Sequence, residues 1–280
     1  MERIRNFASF IKFEHTLFSL PLIFAGAFLA WGGLPETKLL ILIILAGTGA
    51  RTAALALNRI IDRRVDSLNP RTKGRELPSG RISLINALGI TAAGLILYFV
   101  SAYLICDLVL YLSPIPIAVF IVYPLMKRFT PLCHFGVGLG LALAPLGGWV
   151  AVTCSLSGIL PAVMLSLFAF FWVSGFDVIY ATLDEESDRS TGIYSIVVVY
   201  GRDTGLYIAG ILHYAAFFCI AFIYFFMFKT IAAGVFLGVI GFLLYLEHKK
   251  SENVDLSFFK INILVGLAVF LFVLSGIYLP

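Results

Sequence analysis

The chain is organised as a series of long apolar runs separated by short polar segments. About nine runs can be traced, near residues 16–34, 38–57, 82–105, 108–126, 131–153, 158–182, 204–228, 230–246 and 256–279. Each is close to the ~20 residues that an α-helix needs to cross a hydrocarbon layer of ~30 Å. A barrel strand needs only about half that length, so the pattern predicts transmembrane helices rather than a β-barrel.

The composition supports a membrane protein. Of the 280 residues, 60% are hydrophobic and 13% are charged, and the mean hydropathy is +0.99. A soluble domain has about 25% charged residues. No long linker or low-complexity segment interrupts the chain, so residues 1–280 are predicted to form a single all-α membrane domain. Residues 3–13 are typical of a short amphipathic helix at the membrane surface.

Glycines and cysteines give two smaller signals. Gly136 and Gly140 are spaced four residues apart, which is typical of a helix face that packs closely against another helix. The cysteines lack metal-like or redox-like spacing, and we interpret them as small apolar filling residues. They are Cys106, Cys133, Cys154 and Cys219.

Lysine and arginine are distributed unevenly between the two sides of the predicted bundle. If the N-terminus lies in the cytoplasm, 17 of the 20 basic residues fall on the cytoplasmic side. Lys38 and Lys229 fall on the other side, and Arg51 lies within a predicted span. Cytoplasmic loops carry an excess of basic residues, so the pattern predicts a cytoplasmic N-terminus.

A row of polar residues closes the second predicted helix. The stretch ALNRIIDRRVDSLNPRTKGRELPSGR (56–81) places Asn58, Asp62 and Asp66 four residues apart and carries seven basic residues. Residues at i, i+4 and i+8 lie on one helical face. These three side chains should therefore form a row at the cytoplasmic end of the helix.

A second row closes the sixth predicted helix, in GFDVIYATLDEESDRSTG (175–192). It contains Asp177, Asp184 and Asp188, and the last two lie 122 residues after the corresponding aspartates of the first row. Tyr180 has the same relation to Asn58. An even number of helices separates the rows, so both should face the same side of the membrane. The offset suggests an internal repeat.

The residue types in the two rows suit a metal ion and a phosphate group. Converging carboxylates repel one another unless a cation lies among them. Oxygen ligands without histidine or cysteine favour a hard ion such as Mg²⁺, which readily binds phosphate oxygens. Alternatively, the acids are solvated loop charges and the basic residues reflect only the cytoplasmic bias. The basic neighbours that could bind a diphosphate are Arg63, Arg64, Arg71, Lys73 and Arg75.

These segments resemble the UbiA superfamily of intramembrane prenyltransferases. The first row fits the family pattern N-x-x-x-D-x-x-x-D, continued by NPRTKGRELPSGR, and the second fits D-x-x-Y-x-x-x-D-x-x-x-D. The segment YPLMKRFT (123–130) is similar to the one that follows the family's fourth helix. The resemblance covers essentially the whole chain. It implies nine transmembrane helices around a central cavity, with cytoplasmic caps after helices two and six.

The resemblance also implies a reaction. A prenyl diphosphate would bind at the two rows, bridged by two Mg²⁺ ions, and its C–O bond would break to give diphosphate and an allylic cation. An electron-rich acceptor, commonly an aromatic ring, would attack this cation. The metal and the basic residues would stabilise charge on the leaving group. No nucleic-acid partner is expected.

By the same resemblance, the residues of the two rows and their loops receive roles. The diphosphate would be contacted by Arg71, Arg75 and Lys127, although Lys127 could instead be an anchor at the membrane interface. Tyr180 occupies the tyrosine position of the second pattern, as a substrate-binding residue. The expected metal ligands are Asp62, Asp66, Asp184 and Asp188, with Asn58 as a neutral ligand or an orienting and substrate-binding group.

Three residues deeper in the spans are expected to act on the acceptor. The resemblance makes Arg51 a contact for the acceptor, for example for a carboxylate on its ring; an ion pair with Asp177 or another acid is the alternative. Asp177 would position the acceptor, help to remove its proton or pair with Lys127. Tyr123 shares a helical face with Lys127 and would line the path of the cation.

The loop NPRTKGRELPSGR resembles the branch that prenylates 4-hydroxybenzoate or a related aromatic acid for quinone synthesis. Transfer to an ether-lipid precursor or to haem is the alternative within the family. A membrane transporter is an alternative from another class, but its ionisable groups would lie near the membrane midplane. A lipid-phosphate hydrolase would need a nucleophile or a histidine base beside the metal, and the sequence places none there.

Overall fold

The computed structural model describes residue 10, residues 16–251 and residues 260–279, and all regular structure in this part of the chain is helical. The helices are α1 (Thr16–Trp31), α2 (Thr37–Ile61), α3 (Arg63–Leu68), α4 (Leu84–Ile105), α5 (Asp107–Leu112), α6 (Pro114–Met126), α7 (Cys133–Thr153), α8 (Leu160–Ala181), α9 (Glu185–Thr191), α10 (Ile196–Tyr200), α11 (Arg202–Ile223), α12 (Ile231–Lys249) and α13 (Asn262–Tyr278). A π-helical turn, Tyr224–Phe228, extends α11.

Seven helical segments in the described residues are long and apolar enough to cross a membrane. They are α2, α4, α5 with α6, α7, α8, α11 with its π-helical turn, and α12. The first and last predicted runs correspond to shorter apolar helices, Ser19–Trp31 and Asn262–Tyr278, so the total of nine spans stays a prediction. The helix predicted for residues 3–13 lies outside the described residues except for Phe10, as do residues 256–259 of the last run.

The long helices pack in an order that largely follows the chain. Helix α2 packs against α4, α7 against α8, α8 against α11, and α12 against α13. Helix α13 packs back against α1, which in turn packs against α7. Trp172 of α8 lies fully buried in the main core and donates a hydrogen bond of 2.8 Å to Oδ1 of Asn262 on α13. Large apolar side chains and a few satisfied polar groups thus hold the second half of the bundle together.

Helices α2 and α4 approach each other through a reciprocal pair of glycines. A Cβ on Gly49 would lie 2.6 Å from the backbone nitrogen of Tyr98, and one on Gly94 would lie 2.9 Å from that of Ala53. Neither position has room for a side chain without separating the two helices. Close backbone approach at small residues is the main packing device between helices in lipid.

Gly136 and Gly140 of α7 face α6, and Gly136 makes a comparably close approach to it. A Cβ on Gly136 would lie 2.7 Å from Cβ of Tyr123, and one on Gly140 would lie 3.8 Å from the ring of Phe120. The four-residue glycine spacing therefore correctly predicted a packing face.

The interpretation of all four cysteines as apolar filling residues was wrong for two of them. Cys106 and Cys154 form a disulfide that joins the C-terminal ends of α4 and α7. They are 48 residues apart in the sequence, and nothing in their spacing marked them as partners because the helix packing brings them together. Cys133 and Cys219 are free.

Candidate active site

The two acidic rows meet at one end of the bundle. The first row runs from the last turn of α2 into α3, and the second runs from the last turn of α8 into α9. The short helices α3 and α9 are in contact. The chain breaks regular helix geometry at Asp62 and Asp184, each of which immediately precedes a short helix. Each row therefore bends at the equivalent aspartate, Asp62 in the first row and Asp184 in the second.

Arg71 connects the two segments. Its Nε donates a hydrogen bond of 2.8 Å to Oδ1 of Asp184, and a second guanidinium nitrogen contacts Oδ2 of the same carboxylate. Its remaining nitrogen donates to the hydroxyl of Tyr180 at 2.7 Å. Asn69, which sequence reasoning did not single out, donates to the same carboxylate oxygen at 2.8 Å. A bidentate arginine–carboxylate contact is among the stronger and more directional polar interactions in proteins.

Two other basic side chains each hold one acid of the first row. Arg75 donates to both carboxylate oxygens of Asp66, at 2.8 and 2.9 Å. Lys127, at the end of α6, donates to Oδ2 of Asp62 at 2.6 Å, and Asn58 donates to the same oxygen at 3.3 Å. The structure thus brings Lys127 into the site, and its alternative pairing with Asp177 is not formed.

The ion pairs change the expected electrostatics of the site. The carboxylates were predicted to need a metal ion among them, but three of the four are paired with a basic residue. Within the described residues, no three acidic, histidine or cysteine side chains lie close enough together to hold a metal ion as they stand. The all-oxygen donor set still suits Mg²⁺, provided that the basic side chains move from the carboxylates to a phosphate group.

The acids of the site differ in proton affinity. Burial raises the pKa of Asp62 even though Lys127 opposes the shift. For Asp184, burial is outweighed by the hydrogen bonds from Arg71 and Asn69, and its pKa lies below the usual range. Burial, followed by the charge of Asp184, raises the pKa of Asp188 to about 6. Asp188 has no ion pair within the described residues and is the acid most in need of a cation.

The remaining basic residues of the first loop lie outside this arrangement. Arg63, Arg64 and Lys73 are exposed and form no ion pair in the described part of the chain. For these three, the cytoplasmic bias in basic residues is sufficient explanation. A buried pair that the sequence did not reveal, Arg59 with Glu76 at 3.6 Å, ties the loop to the end of α2.

A cavity of about 290 Å³ lies in the bundle and is lined by Arg51, Tyr123 and Asp177 together with mainly apolar side chains. Arg51 donates a hydrogen bond of 3.2 Å to Ser19 of α1 and forms no ion pair among the described residues, so its alternative pairing with Asp177 is not formed. The three residues that were predicted to act on an acceptor therefore line one cavity.

His134, which sequence reasoning missed, contacts one residue of this cavity, Asp177. Its Nδ1 lies 2.7 Å from Oδ2 of Asp177, and its Nε2 accepts a hydrogen bond of 3.3 Å from the backbone N–H of Ile196. Since Nε2 accepts, the proton of a neutral ring is on Nδ1 and is donated to Asp177. The two residues are 43 positions apart, and no linear pattern connects them.

Comparison with known proteins identifies the class. Residues 19–264 match the family model described as the UbiA prenyltransferase family. This match covers most of the helical bundle, the two acidic segments that Arg71 connects, and the apolar cavity. It identifies the protein as a prenyltransferase. The chain belongs to the UbiA prenyltransferase family.

Individual relatives agree with this assignment. The chain is 32% identical over 207 residues to 4-hydroxybenzoate octaprenyltransferase of a Marinomonas species, covering 72% of each chain. It is 30% identical to the enzyme with the same name from Photobacterium profundum, covering 72% of this chain and 71% of the relative.

Solved structures support the fold. A UbiA homologue from Aeropyrum pernix K1, solved in its apo form, is 33% identical and superposes with a TM-score of 0.85, covering 95% of this chain and 98% of that one. A homologue from Archaeoglobus fulgidus bound to GPP and Mg²⁺ has a TM-score of 0.76 at 20% identity, covering 97% and 98% of the two chains. At that identity the likeness concerns the fold alone.

Proposed function

We propose that the protein transfers a polyprenyl group from a prenyl diphosphate to 4-hydroxybenzoate or a closely related aromatic acid, as a step in quinone biosynthesis. The observation that carries the proposal is the position of Arg51. It is a cation without an acidic partner among the described residues, in an apolar cavity of about 290 Å³ in the same bundle as the acidic rows. A small aromatic ring with a carboxylate suits this site in size and charge. The names of the relatives support the same acceptor.

The diphosphate would bind where the two acidic rows meet. Asp62, Asp66, Asp184 and Asp188, with Asn58, would hold two Mg²⁺ ions, which would neutralise charge on the departing diphosphate. Binding of GPP and Mg²⁺ by the homologue from Archaeoglobus fulgidus supports this arrangement. The basic side chains that now pair with the acids would turn to the phosphate oxygens and stabilise them further. They are Arg71, Arg75 and Lys127.

The acceptor would be held in the cavity. Arg51 would bind its carboxylate through two parallel hydrogen bonds. As the C–O bond of the prenyl diphosphate breaks, the allylic carbon would form a C–C bond to the ring, which then loses a proton. Asp177 would accept this proton or orient the phenol, and Tyr123 would line the path of the cation. The apolar walls would exclude water, which would otherwise trap the cation.

The proposed topology has nine transmembrane helices in one domain, residues 1–280. The N-terminus and the segments around α3 and α9 lie in the cytoplasm. The distribution of basic residues supports this orientation. Labelling of single cysteines introduced at exposed positions such as Lys73 and Lys38 would test it, because only one of the two should react with a reagent that cannot cross the membrane in intact cells.

The function is tested by a transfer assay on purified protein in detergent. Geranyl diphosphate would be combined with a panel of acceptors that includes 4-hydroxybenzoate, an ether-lipid precursor and haem, each with and without Mg²⁺. We expect a product only with the aromatic acid and only with the metal. A product from another acceptor alone would move the protein to another branch of the family.

A further inference from the structure

A second cavity lies between α11 and α12, two helices that contribute no residue to the central cavity. It has a volume of about 620 Å³ and shares no lining residue with the central cavity. Tyr207, Tyr214 and Tyr245 form its aromatic walls, and His213 and His248 contribute imidazole rings. Tyr207 and Tyr214 are each 70% exposed, so the cavity is open to the surrounding membrane.

The polar groups at the base of this cavity lack partners. His213 is only 4% exposed, and neither of its ring nitrogens forms a hydrogen bond with another side chain within the described residues. Nδ1 of His248 is also buried without a hydrogen bond there. Buried polar groups are nearly always hydrogen-bonded, and ionisable residues within a span are candidates for function. The two imidazoles therefore point to a ligand that supplies the missing contacts.

Glu247 limits the charge of that ligand. It is fully buried on α12, and its Oε2 lies 3.8 Å from Nε2 of His213, which is too far for a hydrogen bond. No lysine or arginine in the described residues pairs with it. An anionic group bound at His213 would lie beside this carboxyl group in a cavity whose lining contains no lysine or arginine, and burying an unpaired charge is costly. An uncharged head group meets no such penalty.

The walls and the hydrogen-bonding groups together specify the head group. Aromatic side chains on both helices favour a planar ring between them. A neutral imidazole offers one donor and one acceptor, so a group that bridges a ring nitrogen of His213 and Nδ1 of His248 can donate to one ring and accept from the other. A phenol hydroxyl does both, whereas a quinone carbonyl only accepts.

We propose that the cavity between α11 and α12 is a second binding site, for an uncharged prenylated phenol dissolved in the membrane. The phenol ring lies between the tyrosines with its hydroxyl on His213, and the prenyl tail runs along the lipid-facing groove. The source of such a ligand rests on the proposed function, since prenylation of 4-hydroxybenzoate followed by loss of the carboxylate gives this class of compound. Binding at this site would let the enzyme sense how much downstream product the membrane contains.

The test is direct binding of radiolabelled 2-geranylphenol to the purified protein in lipid nanodiscs, without prenyl diphosphate, so that no turnover is needed. We expect saturable binding that is weakened about fivefold or more by His213→Leu, because one neutral hydrogen bond is lost. Ile211→Trp fills the groove from a half-exposed, lipid-facing position and should weaken binding similarly. Ile96→Trp, at an exposed position on α4, is the matched control and should bind normally.

Several outcomes would overturn the site. One is the absence of saturable binding to the wild type, and another is unchanged binding in Ile211→Trp. The second outcome can be measured even if His213→Leu does not fold. Binding that is lost in Arg51→Ala instead would move the phenol to the central cavity. Equal affinity for 3-geranyl-4-hydroxybenzoate would contradict the preference for an uncharged head group. None of these results depends on transfer activity, so they are separate from a failure of the proposed function.

Discussion

At the scale of single residues, Arg71 makes contacts that its sequence position does not reveal. Its partners Tyr180 and Asp184 are 109 and 113 residues away. The sequence predicted that both segments belong to one site, because each carries acids at four-residue spacing. It could not predict the pairing, because a charge pattern specifies neither which side chain reaches across nor whether a metal or an arginine balances the acids.

The acids of the two rows should be essential for transfer. We expect Asp62→Ala and Asp184→Ala each to lower kcat by about 10²-fold or more, since a metal ligand is lost next to the leaving group. Glu186→Ala, at an exposed position of the same cap, is the control. Turnover close to that of the wild type in either aspartate variant, in protein shown to be folded, would remove the metal assignment.

Arg51 should act on one substrate only. We expect Arg51→Ala to raise the KM for 4-hydroxybenzoate by about 10-fold to 10²-fold, because a charged hydrogen bond to its carboxylate is lost. The KM for geranyl diphosphate should change little. Steady-state kinetics with each substrate varied in turn distinguishes the two. An equal rise in both KM values would assign Arg51 to a structural role.

His134 is expected to position Asp177 rather than to touch substrate. His134→Leu should lower kcat by about tenfold or more with little change in either KM, because a freely rotating carboxylate is less often in a reactive orientation. His134→Asn keeps a donor close to the Nδ1 position and should recover part of the rate. If both variants lose the same activity, or if only the stability falls, the ring has a packing role alone.

At the scale of helices, the sequence predicted where the helices lie along the chain better than it predicted which side chains of different helices contact each other. The apolar runs marked the seven membrane-length helices, and the glycines of α7 marked its face towards α6. The disulfide between Cys106 and Cys154 and the hydrogen bond between His134 and Asp177 were not predicted. Both join helices that are brought together by packing of apolar faces, and such faces have little sequence periodicity when lipid and protein neighbours are equally apolar.

The crossing of α2 and α4 offers a stability test. Gly49→Ala would place a Cβ 2.6 Å from the backbone of α4, and we expect a loss of about 1–3 kcal/mol from overpacking. Gly89 of α4 has open space around it, so Gly89→Ala should be neutral or slightly stabilising. Thermal unfolding of both variants in detergent measures the difference. Equal unfolding midpoints for the two variants would show that α2 and α4 can move apart without a loss of stability.

At the scale of the whole molecule, two independent features distinguish the ends of the bundle. The acidic rows and most basic residues lie at one end, after α2 and α8, whereas the disulfide lies at the opposite end, after α4 and α7. Disulfides usually persist in oxidising compartments and basic loops in the cytoplasm. Both features therefore favour the same orientation, with the proposed diphosphate site on the reducing side.

The ion pairs of Arg71, Arg75 and Lys127 also determine how the site responds to its surroundings. In the absence of substrate, the protein supplies its own counter-charges, so the acidic rows can fold and stay together without a bound metal. In the proposed reaction, an incoming diphosphate would have to compete with the carboxylates for the same three basic side chains. The affinity for diphosphate would then be the difference in free energy between two sets of ion pairs. Stronger ion pairs within the free protein would weaken the binding of substrate.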